Sequence, residues 1–135
     1  MEDGYSYGFE NVEIPATANT PAIILNKDEG IIDVRGLSIP ENTREFYYHF
    51  NRWLTEYSFH PAKRTQVTIA LQYMNSSSSV VITRLIMLLD EMIGIKSEVR
   101  VKWFYERDDI EMKEQGEYYR LIMKIPIDLV EVETI

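Results

Sequence analysis

Four consecutive serines, Ser76 to Ser79, follow the triplet Tyr73-Met74-Asn75 and precede a long apolar run that reaches Ile93. Just upstream, Val67, Ile69 and Leu71 alternate with Thr68, Ala70 and Gln72, the period of a strand. A strand, a hydroxyl cluster and a helix start in that order can hold a phosphate. The first N–H groups of a helix lack intrahelical partners, and the macrodipole favours negative charge there. A serine at this point is either a plain N-cap or the acceptor of a covalent phosphate.

Other chemistry finds few residues to use. The two histidines, His49 and His60, have no second His, Cys or Asp at ligand spacing, and there is no cysteine for a thiolate site, a nucleophile or a disulfide. Glu106, Asp108, Asp109, Glu111 and Glu114 crowd one helix start, where negative charge complements the dipole; a magnesium site is the sharper alternative. No glycine-rich P-loop or nucleophile elbow is present. The expectation is a non-enzymatic protein without metal or cofactor.

Charge narrows the partners. With 14 basic against 22 acidic residues the net charge is -8, and Lys63-Arg64 is too small a basic group for a nucleic-acid footprint. The start, Met1-Glu2-Asp3-Gly4, lacks the order of a signal peptide, and Thr83, Arg84 and Asp90 interrupt the longest apolar run. The chain reads as a soluble, cytoplasmic domain with neither nucleic-acid nor membrane partners.

The elements that must position the serines follow from periodicity. Residues 1–19 show no period and read as a flexible or loosely docked segment, with the domain over 20–135. Ala22 to Leu25 and Ile31 to Arg35, separated by Asn26 to Gly30, predict a β-hairpin. Asn42 with Glu45 three residues later predicts a capped helix, and Phe46, Phe50, Trp53 and Tyr57 give it one aromatic face up to Pro61. The second helix runs from about Ser76 to Ile93, buried through Ile82, Leu85, Ile86, Leu89, Met92 and Ile93, with Gly94 at its end.

Val99, Val101 and Trp103 mark a further strand. A third helix starts near Asp108 or Asp109, with Met112, Gly116, Tyr119 and Met123 on one face. Pro126 ends it, and Ile127 to Val132 make a short edge strand. The result is a single α/β (α+β) domain in β-β-α-β-α-β-α order, a small mixed sheet of four to five strands with about three helices. Both tryptophans are expected in its core.

On the second helix, steps of four and three from Ser76 reach Val80, Arg84 and Met87 on the face opposite the apolar stripe. Two apolar residues aligned with a hydroxyl at the helix mouth suit a small partner-binding patch.

The segments Thr20-Pro21-Ala22-Ile23, Gly36-Leu37-Ser38-Ile39-Pro40-Glu41-Asn42, Trp53-Leu54, Tyr73-Met74-Asn75-Ser76-Ser77-Ser78 and Trp103-Phe104-Tyr105 together resemble the SiaC-like bacterial regulatory phosphoproteins. The likeness runs from about Thr20 to Val130. It implies a fold similar to STAS-type anti-sigma-factor antagonists and a partner-switching role. A cognate Ser/Thr kinase would phosphorylate a hydroxyl at the helix start and a PP2C-type phosphatase would remove the phosphate. The unphosphorylated form would bind a diguanylate cyclase, linking the switch to cyclic-di-GMP signalling and biofilm regulation. The family's acceptor threonine corresponds to Ser76, with Ser77 and Ser78 as alternates.

Two other readings stay open. One is a small-ligand-binding domain with a tyrosine-rich pocket formed by Tyr47, Tyr48, Tyr118 and Tyr119. The other is an enzyme centred on the carboxylates near Asp108.

Overall fold

The alternation over 67–72 belongs to the middle of one mixed sheet. In the computed structural model, which describes residues 9–93 and 95–135, the strands are β1 (Val12–Ile14), β2 (Ala22–Asn26), β3 (Ile31–Ser38), β4 (Arg64–Met74), β5 (Glu98–Glu106) and β6 (Ile127–Val132). The helices are α1 (Thr43–Phe46), α2 (Tyr48–Phe59), α3 (Ser76–Met92) and α4 (Ile110–Ile122). Gly94, expected at the end of the second helix, and residues 1–8 of the expected tail lie outside the described residues.

The strands lie in sequence order across the sheet. β1, β2 and β3 pair antiparallel, whereas β3 to β6 pair parallel. Parallel neighbours need crossovers, and crossovers of one hand in sequential order bring every helix to the same face. One continuous core results. Ile32, Val34, Val67, Ile69, Leu71, Val101 and Trp103 of the sheet are buried with Phe50, Trp53, Tyr57, Ile82, Leu85, Leu89 and Tyr119 of the helices. Both tryptophans are fully buried, as their aromatic and alternating neighbours predicted.

The architecture departs from the expected one in two places. Among the described residues the sheet has six strands and there are four helices, where four to five strands and about three helices were expected. The extra strand, β1, lies in the stretch expected as a tail. Three residues are too few to show a period, and its pairing with Ile23 to Leu25 is non-local. Phe9 adds a ring 5.6 Å from that of Trp53. The extra helix arises because the first one breaks at Tyr47, whose φ of -92° and ψ of 9° leave the helical region. Tyr47 is fully buried, and the break carries its side chain into the core.

Two glycines are needed where they stand. Gly30 closes the β2–β3 turn at a φ of 69°, which L side chains rarely adopt. Gly116 lies on α4 where a Cβ would come within 2.5 Å of Trp103 and 2.6 Å of Leu129, so its small size lets the helix seat on the sheet.

Candidate functional site at the start of the third helix

The parallel strands β3, β4 and β5 deliver their carboxyl ends to one edge of the sheet, and α1, α3 and α4 begin there. Open α/β sheets commonly place their sites at that edge. The edge is stitched together locally. Asn75 N–H donates to the Ser38 carbonyl at 3.0 Å, which joins the end of β3 to the start of α3.

The four serines do four different things. The cap of α3 is Asn75, whose Oδ1 accepts from Ser78 N–H at 2.9 Å and from the Ser77 hydroxyl at 3.3 Å. Ser78 is fully buried, and its Oγ accepts from Ser38 Oγ at 2.7 Å. Ser38 Oγ in turn meets the Tyr47 hydroxyl at 2.6 Å, so three buried hydroxyls form one chain. Burial pushes the Tyr47 hydroxyl above its ordinary 10.0, while its bonds to Ser38 and Ser78 pull the other way. Ser77 Oγ bridges to Thr43 Oγ1 of α1 at 2.6 Å. Ser79 Oγ donates to the Ser76 carbonyl at 2.7 Å.

Ser76 alone has nothing to hold. Its side chain is exposed, and its hydroxyl has no hydrogen-bond partner among the described residues. It opens onto a shallow groove of about 230 Å³ lined by Tyr73, Ser79, Asp109, Glu111 and Gln115. The cap reading proposed for a serine here therefore belongs to Asn75. Ser78, an alternate acceptor by sequence, has no surface to offer a kinase without opening the helix start. A phosphate on Ser77 would first break the bridge to Thr43.

Along α3, Val80 and Met87 are each 50% exposed and Arg84 is exposed without an ion pair among the described residues. The three lie on the outward face with Ser76, as their spacing predicted. The neighbouring helix adds to this surface in a way periodicity alone did not reveal. Tyr119 of α4 binds Thr83 Oγ1 at 2.6 Å, and Asp90 Oδ1 accepts from the N–H groups of Lys124 and Ile125 at 2.6 and 3.0 Å. Held against α3 in this way, α4 leaves Tyr118 and Ile122 half exposed.

The competing sites do not assemble. Tyr47 and Tyr119 are buried, with their hydroxyls on Ser38 and Thr83, and α3 lies between the helices that carry the two tyrosine pairs. The expected tyrosine-lined pocket is thus filled by its own side chains. Two of the carboxylates near Asp108 are engaged locally. Asp109 caps α4 through Met112 N–H at 3.1 Å, and Glu106 accepts from Ile135 N–H at 2.9 Å. Among the described residues no group of three His, Cys, Asp or Glu is placed to hold a metal ion. His49 and His60 are exposed. No helix among them is long and apolar enough to cross a membrane.

The chain is similar to known proteins over most of its length. A family model described as "SiaC family regulatory phosphoprotein" matches residues 14–132. An uncharacterised protein of Pseudomonas aeruginosa (strain UCBPP-PA14) is 27% identical over 110 residues, covering 82% of this chain and 87% of that one. Among solved structures, a chain of the crystal structure of the diguanylate cyclase SiaD in complex with its activator SiaC, from Pseudomonas aeruginosa, superposes with a TM-score of 0.81 at 26% identity. It covers 90% of this chain and 99% of that one. SiaC of Pseudomonas aeruginosa gives a TM-score of 0.80 at 26% identity, covering 92% of this chain and all of that one.

Proposed function

The chain belongs to the SiaC family of regulatory phosphoproteins, whose members are regulators rather than enzymes, and on that premise we propose that it is a partner switch set by phosphorylation of Ser76. A Ser/Thr kinase adds the phosphate and a PP2C-type phosphatase removes it. The unphosphorylated protein binds an effector through Val80, Arg84 and Met87, and that effector is a diguanylate cyclase. The similarity to a chain of the SiaD–SiaC complex supports the effector class.

One observation carries the choice of Ser76. It is exposed at the first position of α3, and its hydroxyl has no partner because Asn75 performs the cap. A phosphate there adds close to two negative charges with strong hydration. Placed beside the half-exposed Val80 and Met87, it opposes the desolvation a partner needs in order to dock. No refolding is required, since the hydroxyls that hold the helix start are those of Ser38, Tyr47, Ser77 and Ser78.

The test is binding of the purified cyclase before and after kinase treatment, with the modified residue located by mass spectrometry. The expected result is phosphate on Ser76 and affinity lowered by at least about tenfold, an ordinary hot-spot effect. Equal binding by both forms, or phosphate only on another serine, refutes the proposal.

A further inference from the structure

All helices among the described residues pack on one face of the sheet, and the other face carries a second, unrelated surface. Ala22, Arg35, Ala70, Phe104 and Val130 are consecutive register partners, so their side chains form one row across five strands on that face. The neighbouring row reads Ile24, Asp33, Thr68, Lys102 and Asp128, polar and charged for most of its length. The first row borders a concavity. A cleft of about 420 Å³ is lined mostly by apolar surface from Ala22, Gly36, Ala70, Phe104, Val132 and Ile135, with Arg35 also in its wall. Small-ligand sites occupy about 300–1,000 Å³ and pair apolar walls with a few polar groups.

The cleft is built rather than incidental. The β3 register shifts at Gly36, whose φ of 118° only glycine takes readily, and bulges of this kind redirect a strand next to sites. At the far wall Gln72 Nε2 donates to the Ile135 carbonyl at 2.9 Å and Glu106 accepts from Ile135 N–H at 2.9 Å, which fixes the last residues over the sheet. Arg35 supplies the one cation. Its Nε reaches Asp33 at 3.4 Å, while its two terminal amino groups have no partner among the described residues and its side chain is 53% exposed. A guanidinium with both terminal amino groups free presents a fork that matches a carboxylate.

We propose that this cleft is a binding site for a small amphipathic carboxylate, with its apolar body against Ala22, Ala70, Phe104 and Val132 and its acid group on Arg35. The site is on the opposite face from Ser76, so the proposal goes beyond the phosphorylation switch and stands or falls apart from it.

The experiment titrates the purified chain with octanoate and, separately, with neutral 1-octanol, both below micelle formation, and follows backbone amides by NMR. Octanoate should shift the amides of Ala22, Arg35, Ala70 and Phe104 saturably and bind about tenfold tighter than octanol, the scale of a charge-assisted hydrogen bond. Arg35→Gln should erase that preference, and Ala22→Leu, which fills the cleft, should remove binding of both. Equal affinity of the wild-type chain for the two probes overturns the proposal. So do shifts centred on other residues or no shift at millimolar probe. Shifts that follow protein concentration without probe overturn it too, by showing a second copy on this face.

Discussion

Replacing Ser76 and Ser78 separately by alanine should split function from stability, although only one residue lies between them. Ser76 has an exposed hydroxyl without a partner, so Ser76→Ala removes no contact. Alanine is the better helix former by up to about 0.7 kcal/mol, so the fold should be unchanged or slightly more stable. Ser78 is buried and accepts the Ser38 hydroxyl at 2.7 Å. Ser78→Ala leaves that buried donor without its acceptor, which costs about 1–3 kcal/mol. After the gain in helix propensity about 1–2 kcal/mol remains, a fall in Tm of roughly 3–8 °C for a domain of this size. The assay pairs a thermal melt with intact-mass measurement after kinase treatment. Ser76→Ala should melt like the wild type and take up no phosphate, and Ser78→Ala should melt earlier and still be modified. Equal losses of Tm would refute the hydrogen-bond reasoning. Phosphate on Ser76→Ala but not on Ser78→Ala would refute the site.

Met87→Glu should weaken the effector complex by at least about 1–2 kcal/mol in calorimetry and leave Tm nearly unchanged, because Met87 is half exposed on the face away from the core; a collapse of Tm would move the partner surface elsewhere. Gly116→Ala should destabilise the domain despite a helix-propensity gain of about 1 kcal/mol, since the new methyl meets Trp103 at 2.5 Å; a rise in Tm would show that α4 can shift on the sheet. Tyr47 predicts an alkaline limit. Its folded pKa lies above the unfolded 10.0, so its neutral form contributes stability that is present below pH 10.0 and lost as pH rises from there towards the raised value. Denaturant titrations above pH 10 should show that loss in the wild type, and Tyr47→Phe should flatten the curve.

How much of this could be read from the chain depended on how local the cause was. The strand at 67–72, the outward position of Val80, Arg84 and Met87, and the stripe of α3 as far as Met92 follow from period alone and appear in the structure. Ile93, expected as the last buried member of that stripe, instead caps the helix in an extended conformation and is half-buried. The cap at Asn42 was equally local and forms as its spacing predicted, with Glu45 N–H donating at 3.0 Å. What stayed hidden were long-range choices. Nothing near Val12 announces that it will pair with Leu25, and nothing around Tyr47 says that its ring must break a helix to reach Ser38. The serine cluster was the sharpest example. Its four members share one residue type and one neighbourhood, yet the structure divides them into a buried link to Ser38, a bridge to Thr43, a bond back to the Ser76 carbonyl and an uncommitted hydroxyl.

That division also changes what a phosphate would do. Read from sequence, the start of α3 offers an anion a gain of about 0.3–1 kcal/mol from the helix dipole. The groove beside Ser76, however, is lined by Asp109 and Glu111 of α4. Like charges repel, and a phosphate carries nearly two charges against these two carboxylates. That repulsion opposes the dipole term, and no basic side chain lines that groove to clasp a phosphate. The expected place of an anion on Ser76 is therefore outward, in the solvent a partner would have to displace. On the proposed switch, the two states would then differ on the surface that begins at Ser76 and runs along Val80 and Met87.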